Sequence, residues 1–449
     1  MTIGLRDDNL GARIERPAGA ARRRVVFTAI GSLGDLHPYL AVALGMQVRG
    51  HEVIVATSRC YQEKVESLGL GFRPVRPDSD WIADRQTMRR YMDLRRGLIR
   101  LAREWALPSL HDSYADTLAA VEGADLLVSQ VSLAARLVAE KTGIAWVSTI
   151  HMPLFFFSAC DLPLLPIAPK VFERLRFLGP AFWGPVLAFS KRTTRFLARP
   201  WYALRTELGL PPTDDNPLGD CHSPRLVLAL FSKMLADRQP DWPPQTVITG
   251  FPIYDRHGSA ELPPDLLRFL DDGPPPIVFT LGTAVSVDAG SFYEHSAAAA
   301  RLLGRRAVLI LNHPANRPRD LPAEVVAFDY ARFSALFPRA AAIVHHGGVG
   351  TTGLAMRSGR PMLVMPVAWD QPDNAARVRR LGIARVISRR RYTPQRVAAE
   401  LRQLLTEPGY AQRAQQVAEQ MRHEDGVEAA CNALENLSAA EPAALARGD

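Results

Sequence analysis

The sequence predicts an α/β protein of two Rossmann-like domains, each built on a parallel sheet. Three observations carry this. The chain has 449 residues, 47% of them hydrophobic, enough to furnish a core for each of two ordinary domains. From Arg24 onward, short apolar runs alternate with helical intervals, the grammar of βαβ units. Two proline-rich stretches, DRQPDWPPQ (237–245) and DDGPPP (271–276), interrupt that alternation, which then restarts.

Taken in order, residues 1–23 read as a flexible polar tail. The first domain, 24–236, opens with a strand in VVFTAIGS (25–32), a helix beginning near Leu36, a strand in HEVIVATS (51–58) and a helix from about Cys60. Strands follow in ADLLVS (124–129), AWVSTI (145–150) and RLVLALF (225–231), with a helix over 132–142. Nearly unbroken apolar runs of this kind suit parallel strands covered on both faces. A linker and second domain occupy 237–425, with strands in ITGFPI (248–253), IVFTLGT (277–283), AVLIL (307–311), VVAFDY (325–330), AAIVHHG (341–347) and PMLVMPV (361–367). Residues 426–449 form a helix, GVEAACNALENL, whose packing the sequence leaves open, and a tail. The two halves share no sequence repeat.

The formal charge is +8, from 54 basic against 46 acidic residues. Basic residues cluster at Arg22–Arg24, over 170–205 and at Arg389–Arg391, without the modules or aromatic interleaving that nucleic acid requires. Solvated faces and weak peripheral membrane contact fit them better. Cys60, Cys160, Cys221 and Cys431 have neither paired nor metal-ligand spacing, as in a reduced, cytoplasmic protein. Residues 1–21 lack the apolar stretch of a secretory signal. FLGPAFWGPVLAF (177–189) falls short of the ~20 apolar residues that span a bilayer.

Within the first domain, 152–205 is an insertion rich in aromatics, among them Phe155, Phe182 and Trp183. Two readings stay open: ordinary core helices, or an apolar ligand cleft with basic edges. His151 has the same two readings, a lining residue or a satisfied core histidine.

In AAIVHHGGVGTTGLAMRSG (341–359) a strand ends at paired histidines, glycines follow, and a helix begins near Val349. Gly347, Gly348 and Gly350 let the backbone approach a ligand, and the new helix offers unpaired N–H groups and a positive dipole end. That turn suits phosphate, with Thr351 and His345 as side-chain donors, although a glycine turn alone is shared by many α/β folds. At the next strand end Trp369, Asp370 and Gln371 emerge together, a carboxylate and an amide suited to vicinal sugar hydroxyls; a helix N-cap is the alternative for Asp370. Thr283, after IVFTLGT, offers a hydroxyl to phosphate. Phe328 and Tyr330, in VVAFDY, offer rings to a pyrimidine. All lie at the carboxyl ends of predicted strands, where open α/β sheets bind ligands.

At these residues the sequence closely resembles the inverting, metal-independent family 1 glycosyltransferases of GT-B fold. The resemblance runs from Arg24 to about residue 425 and is most specific in HHGGVGTTGLAMRSGRPMLVMPVAWDQPDNAARVRRLG (345–382). Among bacterial members the chain is similar to rhamnolipid-type rhamnosyltransferases and to natural-product enzymes acting on flavonoid or glycopeptide aglycones. The resemblance implies that His345 contacts the diphosphate, that Gly348, Gly350 and Thr351 lie along it, and that Asp370 with Gln371 holds the sugar. Plant members carry Trp, Asn and Ser where this chain has Gly348, Val349 and Gly350, which shifts those contacts to the backbone. Their base-stacking tryptophan has no counterpart, and Tyr330 or Phe328 substitutes for it.

Sugar transfer with inversion needs a general base near the acceptor hydroxyl, and the turn AIGSLGDLHPYLAVA (29–43) is its place in the family. Many members have histidine after the turn's glycine. Here Asp35 follows Gly34, and His37 and Pro38 come next. Asp35 as base, His37 as base, and Asp35 as a helix N-cap remain three readings. Aspartate is intrinsically a weak base, so a phenolic acceptor asks less of it than an alcohol. The implied reaction moves a hexose, rhamnose from dTDP-rhamnose or glucose from UDP-glucose, onto an apolar acceptor such as a flavonoid or hydroxylated lipid. The nucleotide-diphosphate sugar is a co-substrate, and neither cofactor nor metal is expected; the Asp78-Ser79-Asp80 pattern lacks the context of a metal site. The rival functions are a sugar-nucleotide 2-epimerase and a non-catalytic sugar-nucleotide or lipid-binding module.

Overall fold

The computed structural model describes residues 22–130, 132–165, 168–220, 222–254 and 262–437. Seven strands, β1 (Arg24–Ala29), β2 (Glu52–Thr57), β3 (Gly71–Pro74), β4 (Leu126–Ser129), β5 (Ala145–Ile150), β6 (Val227–Ala229) and β7 (Thr246–Ile248), form a parallel sheet in the order β3-β2-β1-β4-β5-β6-β7. Six more, β8 (Ile277–Thr280), β9 (Ala307–Ile310), β10 (Val325–Phe328), β11 (Ala342–His345), β12 (Met362–Val364) and β13 (Ala384–Val386), form a second parallel sheet in the order β10-β9-β8-β11-β12-β13. Helices cover both faces, so β4, β8, β9 and β11 are buried at every residue.

The expected strand in ITGFPI (248–253) shares only Ile248 with β7, because the chain leaves the sheet at Thr249 and Gly250, and two strands lie outside the sequence reading altogether. β3 and β13 are edge strands of four and three residues, and most of β3 is exposed, so neither presents an apolar run of the expected length.

The structure also moves a domain border. Val227 of β6 pairs with Thr246 of β7, so the first domain runs through Ile248 rather than ending at 236. The proline-rich segment 237–245 is a loop inside that domain, anchored by Trp242, whose ring stacks on Phe156 with centroids 3.8 Å apart. Proline ends regular structure, but it does not distinguish a loop within a domain from a linker between two.

The helix Gly426–Glu435 returns to the first domain and packs on the helix Leu33–Val48. A Cβ on Gly45 would lie 2.7 Å from Val427 and 2.9 Å from Cys431, so the close approach requires glycine. A buried ion cluster fixes the contact, with Arg49 at 2.6 Å and His51 at 3.0 Å from Glu435. His51 Nδ1 accepts the Arg23 N–H, which leaves the Nε2 proton for Glu435.

The domains are bridged on two flanks. On one, Trp369 Nε1 donates to the Tyr91 carbonyl at 3.0 Å, and Asp288 binds Arg85 and Arg89. On the other, Arg377 is paired with Asp161 and with Asp373 at 2.7 Å, while Asp373 Oδ1 accepts the Leu164 N–H at 2.9 Å. No helix among the described residues is long and apolar enough to cross a membrane. Cys60, Cys160 and Cys431 are free thiols; Cys221, residues 1–21 of the tail and residues 438–449 lie outside the described residues.

Candidate active site

In each sheet the chain order reverses once, between β1 and β4 and between β8 and β11. Crevices open at the carboxyl ends of strands at such points, and the two crevices hold most of the candidate residues.

At the first crevice Ser32 caps the helix Leu33–Val48, and Asp35 is the third helical residue, closing the capping box. Asp35 is therefore not the N-cap itself. Its Oδ2 accepts from the Ser32 N–H and Oγ–H, both at 2.9 Å, and its Oδ1 accepts from Gln130 Nε2 at 2.8 Å. Gln130 follows β4, so this bond straddles the switch point. An ionised carboxylate has about four acceptor positions, and three bonds leave capacity for an incoming hydroxyl. Gly31 has φ +138°, and a Cβ there would lie 2.6 Å from Asp35 Oδ2. Sequence reasoning passed over Gln130, whose only signal is a polar amide directly after a buried strand.

His37 lies about 200° around the helix from Asp35 and stacks on Tyr254 at 4.9 Å, away from the Asp35 carboxylate. His151 is buried edge-on to Tyr39 at 5.3 Å, and Tyr39 OH bonds Thr149 at 2.5 Å. Burial pushes the His151 imidazole down to about 4 against the opposing pull of the Asp35 charge, so the ring is neutral at pH 7.

Beside Gln130 is a cavity of about 170 Å³ walled by Thr28, Ile30, Trp105, Leu110, Leu133 and Phe155. Of the four expected acceptor residues, only Phe155 lines it. Phe182 faces solvent, and Trp183 is packed on Phe172 at 5.3 Å with its N–H on the Leu175 carbonyl. Thr28 Oγ1 is buried without a partner among the described residues; a lone hydroxyl in the apolar run of β1 was its signal. Asp78 accepts from Ser58 Oγ and the Arg59 N–H, contacts that pin a loop.

At the second crevice Thr283 is exposed after β8. After β11 the chain turns through Gly347, with φ +90°, to Gly348, the N-cap of the helix Val349–Arg357. Gly348 has no side chain to cap that helix, so the N–H groups of Val349, Gly350 and Thr351 have no intrahelical partner. A Cβ on Gly350 would meet nothing within 4 Å, so this backbone lies open.

The paired histidines differ from expectation. His345 is fully buried, its Nδ1 accepting the Gly347 N–H at 3.1 Å and its Nε2 3.4 Å from Met362 Sδ. Both ring nitrogens are thus engaged within the domain, and the ring braces the turn instead of facing a ligand. His346 sits between the two glycine loops: a Cβ on Gly348 would lie 2.4 Å from its Nε2, and one on Gly282 would lie 2.6 Å from its Cε1. The histidine that touches both candidate phosphate loops is the second of the pair, because the first is the last buried residue of β11. Burial pushes both rings down, to about 3 and about 4, so both are neutral.

Asp370 precedes the helix Gln371–Arg380, but its side chain makes no capping bond. Its Oδ2 accepts from Asn374 Nδ2 at 2.6 Å, and the same amide donates to the Gly347 carbonyl at 2.9 Å, tying the two ligand turns together. Asn374, four residues on and so on the same helix face, was missed. Burial pushes the Asp370 carboxyl up to about 7, opposed by the Asn374 bond and reinforced by the Asp35 charge. Gln371 Oε1 accepts the Val367 and Ala368 N–H groups, and Nε2 has no partner among the described residues. Trp369, left-handed at φ +55°, directs its N–H to Tyr91, so it latches the domains. Phe328 is half-buried and Tyr330 is 44% exposed at the end of β10, about 10 Å from β8 across two strand spacings.

Opposed switch-point crevices in two doubly wound domains, one with an open glycine-lined helix start and one with a carboxylate beside an apolar cavity, define a GT-B group-transfer enzyme. Residues 25–158 match the model of the glycosyltransferase family 28 N-terminal domain, and 303–437 match that of the erythromycin biosynthesis protein CIII-like C-terminal domain. The chain is 32% identical to the O-mycaminosyltylonolide 6-deoxyallosyltransferase of Streptomyces fradiae, covering 92% of this chain and 97% of that protein. It is 29% identical to the vancomycin aglycone glucosyltransferase of Amycolatopsis orientalis, covering 80% and 84%. The solved spinosyn rhamnosyltransferase complexed with thymidine diphosphate superposes with a TM-score of 0.66 over 92% of this chain and all of that one, at 19% identity. The chain belongs to the family 1 glycosyltransferases of GT-B fold and is a nucleotide-sugar-dependent transferase of the natural-product type.

Proposed function

We propose that this protein moves a hexose from a nucleoside diphosphate onto a hydroxyl of an apolar small molecule, with inversion at the sugar carbon and Asp35 as general base. The observation that carries the reading is the pair of switch-point turns: Asp35, held by Ser32 and by Gln130, at the carboxyl end of β1 in the first domain, and the open helix start at Gly348 tied to Asp370 through Asn374 in the second. The 6-deoxyallosyl and rhamnosyl activities named for two relatives favour a 6-deoxyhexose, and the thymidine diphosphate bound by one of them favours that nucleotide.

In this reading the acceptor lies in the cavity beside Gln130, its apolar body against Trp105, Leu110 and Phe155, with Thr28 Oγ1 available to a polar group. Its hydroxyl proton passes to Asp35 as the oxygen bonds to the sugar's anomeric carbon. The bond from that carbon to the diphosphate oxygen breaks, and its electron pair leaves with the nucleoside diphosphate. Gln130 holds the carboxylate in place. The N–H groups at the start of the helix Val349–Arg357 and the hydroxyls of Thr283 and Thr351 receive the leaving charge, so the residues present supply this step without a metal. Asp370 and Gln371 Nε2 take the sugar hydroxyls, and Phe328 or Tyr330 takes the base. A cavity lined by Gln130, which bonds Asp35, favours transfer over the epimerase alternative, which needs no acceptor.

The test is a mass-spectrometric screen of dTDP-rhamnose and UDP-glucose against flavonoids, hydroxy fatty acids and sterols, followed by Asp35→Asn on each active pair. Loss of a general base lowers kcat by about 100- to 10,000-fold, with thymidine diphosphate binding held within about twofold. Unchanged turnover would refute the assignment.

A further inference from the structure

Six large apolar side chains of one first-domain segment face solvent: Val171, Phe177, Phe182, Val186, Phe189 and Phe196. They include all four exposed phenylalanines among the described residues, and Phe177 and Phe189 are 79% and 69% exposed. Phe182, Val186 and Phe189 recur at i, i+4 and i+7 along the helix Gly179–Thr194, which places them on one face. An adjoining side of that helix is fixed: Trp183 and Leu187 pack into a small cluster with Leu162. The outward stripe is thus held in place by its own inward anchor. Monomeric surfaces scatter single apolar residues, whereas a contiguous stripe marks an interaction site.

The charge around the stripe identifies its partner. Lys170, Arg174, Arg192 and Arg199 are exposed in the same segment and make no ion pair among the described residues. Between residues 168 and 199 the only acidic residue is Glu173, which is paired with Arg379. A helix with an aromatic stripe, basic flanks and almost no acidic charge matches the boundary between headgroups and acyl chains of an anionic bilayer. The helix, 16 residues long with Pro185 inside it, is too short to span one.

We infer that the face carrying Phe177, Phe182, Val186 and Phe189 docks the protein on an anionic lipid surface. The same segment follows, along the chain, Phe155 of the acceptor cavity wall, and a docked protein is concentrated at the lipid that dissolves apolar acceptors. That consequence rests on the proposed function. The docking itself does not, and its test reads no turnover.

The full chain is sedimented with vesicles of phosphatidylcholine alone and of phosphatidylcholine with phosphatidylglycerol. The expected result is binding to the anionic vesicles, at least about tenfold weaker binding to the neutral ones, and release by salt. Phe177→Ser with Phe189→Ser, both at exposed positions, lowers anionic-vesicle binding at least about tenfold while the melting temperature is unchanged. Lys170→Glu with Arg192→Glu lowers it and removes the salt dependence. Failure of the wild type to bind anionic vesicles, or equal binding by the phenylalanine variant, overturns the inference. So does light scattering that shows a dimer for the wild type and a monomer for the variant, since a second copy would then cover the face.

Discussion

Replacing Asp370 by asparagine separates the cost of a buried charge from its use. The Asp370 carboxyl rises from 3.8 to about 7 on folding, chiefly through burial. Roughly three pH units at about 1.4 kcal/mol each bound the effect at about 4 kcal/mol. The sign follows from proton counting: between about pH 4 and about pH 7 the folded state keeps a proton that the unfolded chain has released. This group's contribution to stability therefore falls as pH rises through that window and stays low above it. The substituted amide keeps an oxygen for Asn374 Nδ2 and never ionises. In urea unfolding of the ligand-free protein, Asp370→Asn should match wild type near pH 4 and exceed it by about 2–4 kcal/mol at pH 8.5. Turnover should move the other way. Loss of charge-assisted bonds worth about 1.5–3 kcal/mol each should lower kcat/KM for the donor about 100-fold, and the rise of that parameter with pH through about 7 should vanish. A stability difference independent of pH, or a variant less stable at pH 8.5, would refute the reasoning.

The histidine pair should divide between structure and ligand. His345→Ala, which removes a buried ring and leaves the Gly347 N–H unpaired, should cost about 2–5 kcal/mol in urea unfolding. His346→Gln should weaken thymidine diphosphate about tenfold by calorimetry with little change in stability, and the reverse pattern would return the ligand role to His345. Arg377→Met leaves the buried Asp373 without its cation while Asp161 keeps Arg176, a loss of about 3–5 kcal/mol. Because that cluster joins the domains, KM should rise for donor and acceptor together; a rise for one alone would mean that the cluster does not set their approach.

Much of the candidate site was legible before any contact was known. Asp35, Thr283, Gly348 and Asp370 stand where strands end and helices begin, and those boundaries follow from period and from glycine. The residues that orient them were not legible. Gln130 acts on Asp35 from 95 positions away, and a lone amide has no periodic signature. Asn374 reads as one more polar residue on a helix until its amide is seen joining the Gly347 and Asp370 turns. Among the aromatics of 152–205, alternation and hydropathy do not separate Trp183, turned into its own cluster, from Phe155, which lines the cavity.

The sequence by itself determined that there are two parallel sheets, the chain order of their inner strands and the glycine turn after β11, because backbone freedom and apolar runs are local properties. The choice between His345 and His346, the return of the last helix to the first domain and the bond from Gln130 to Asp35 were decided only by tertiary structure. Each depends on which way a side chain or helix is turned by packing across hundreds of residues, and the local chain does not encode that direction.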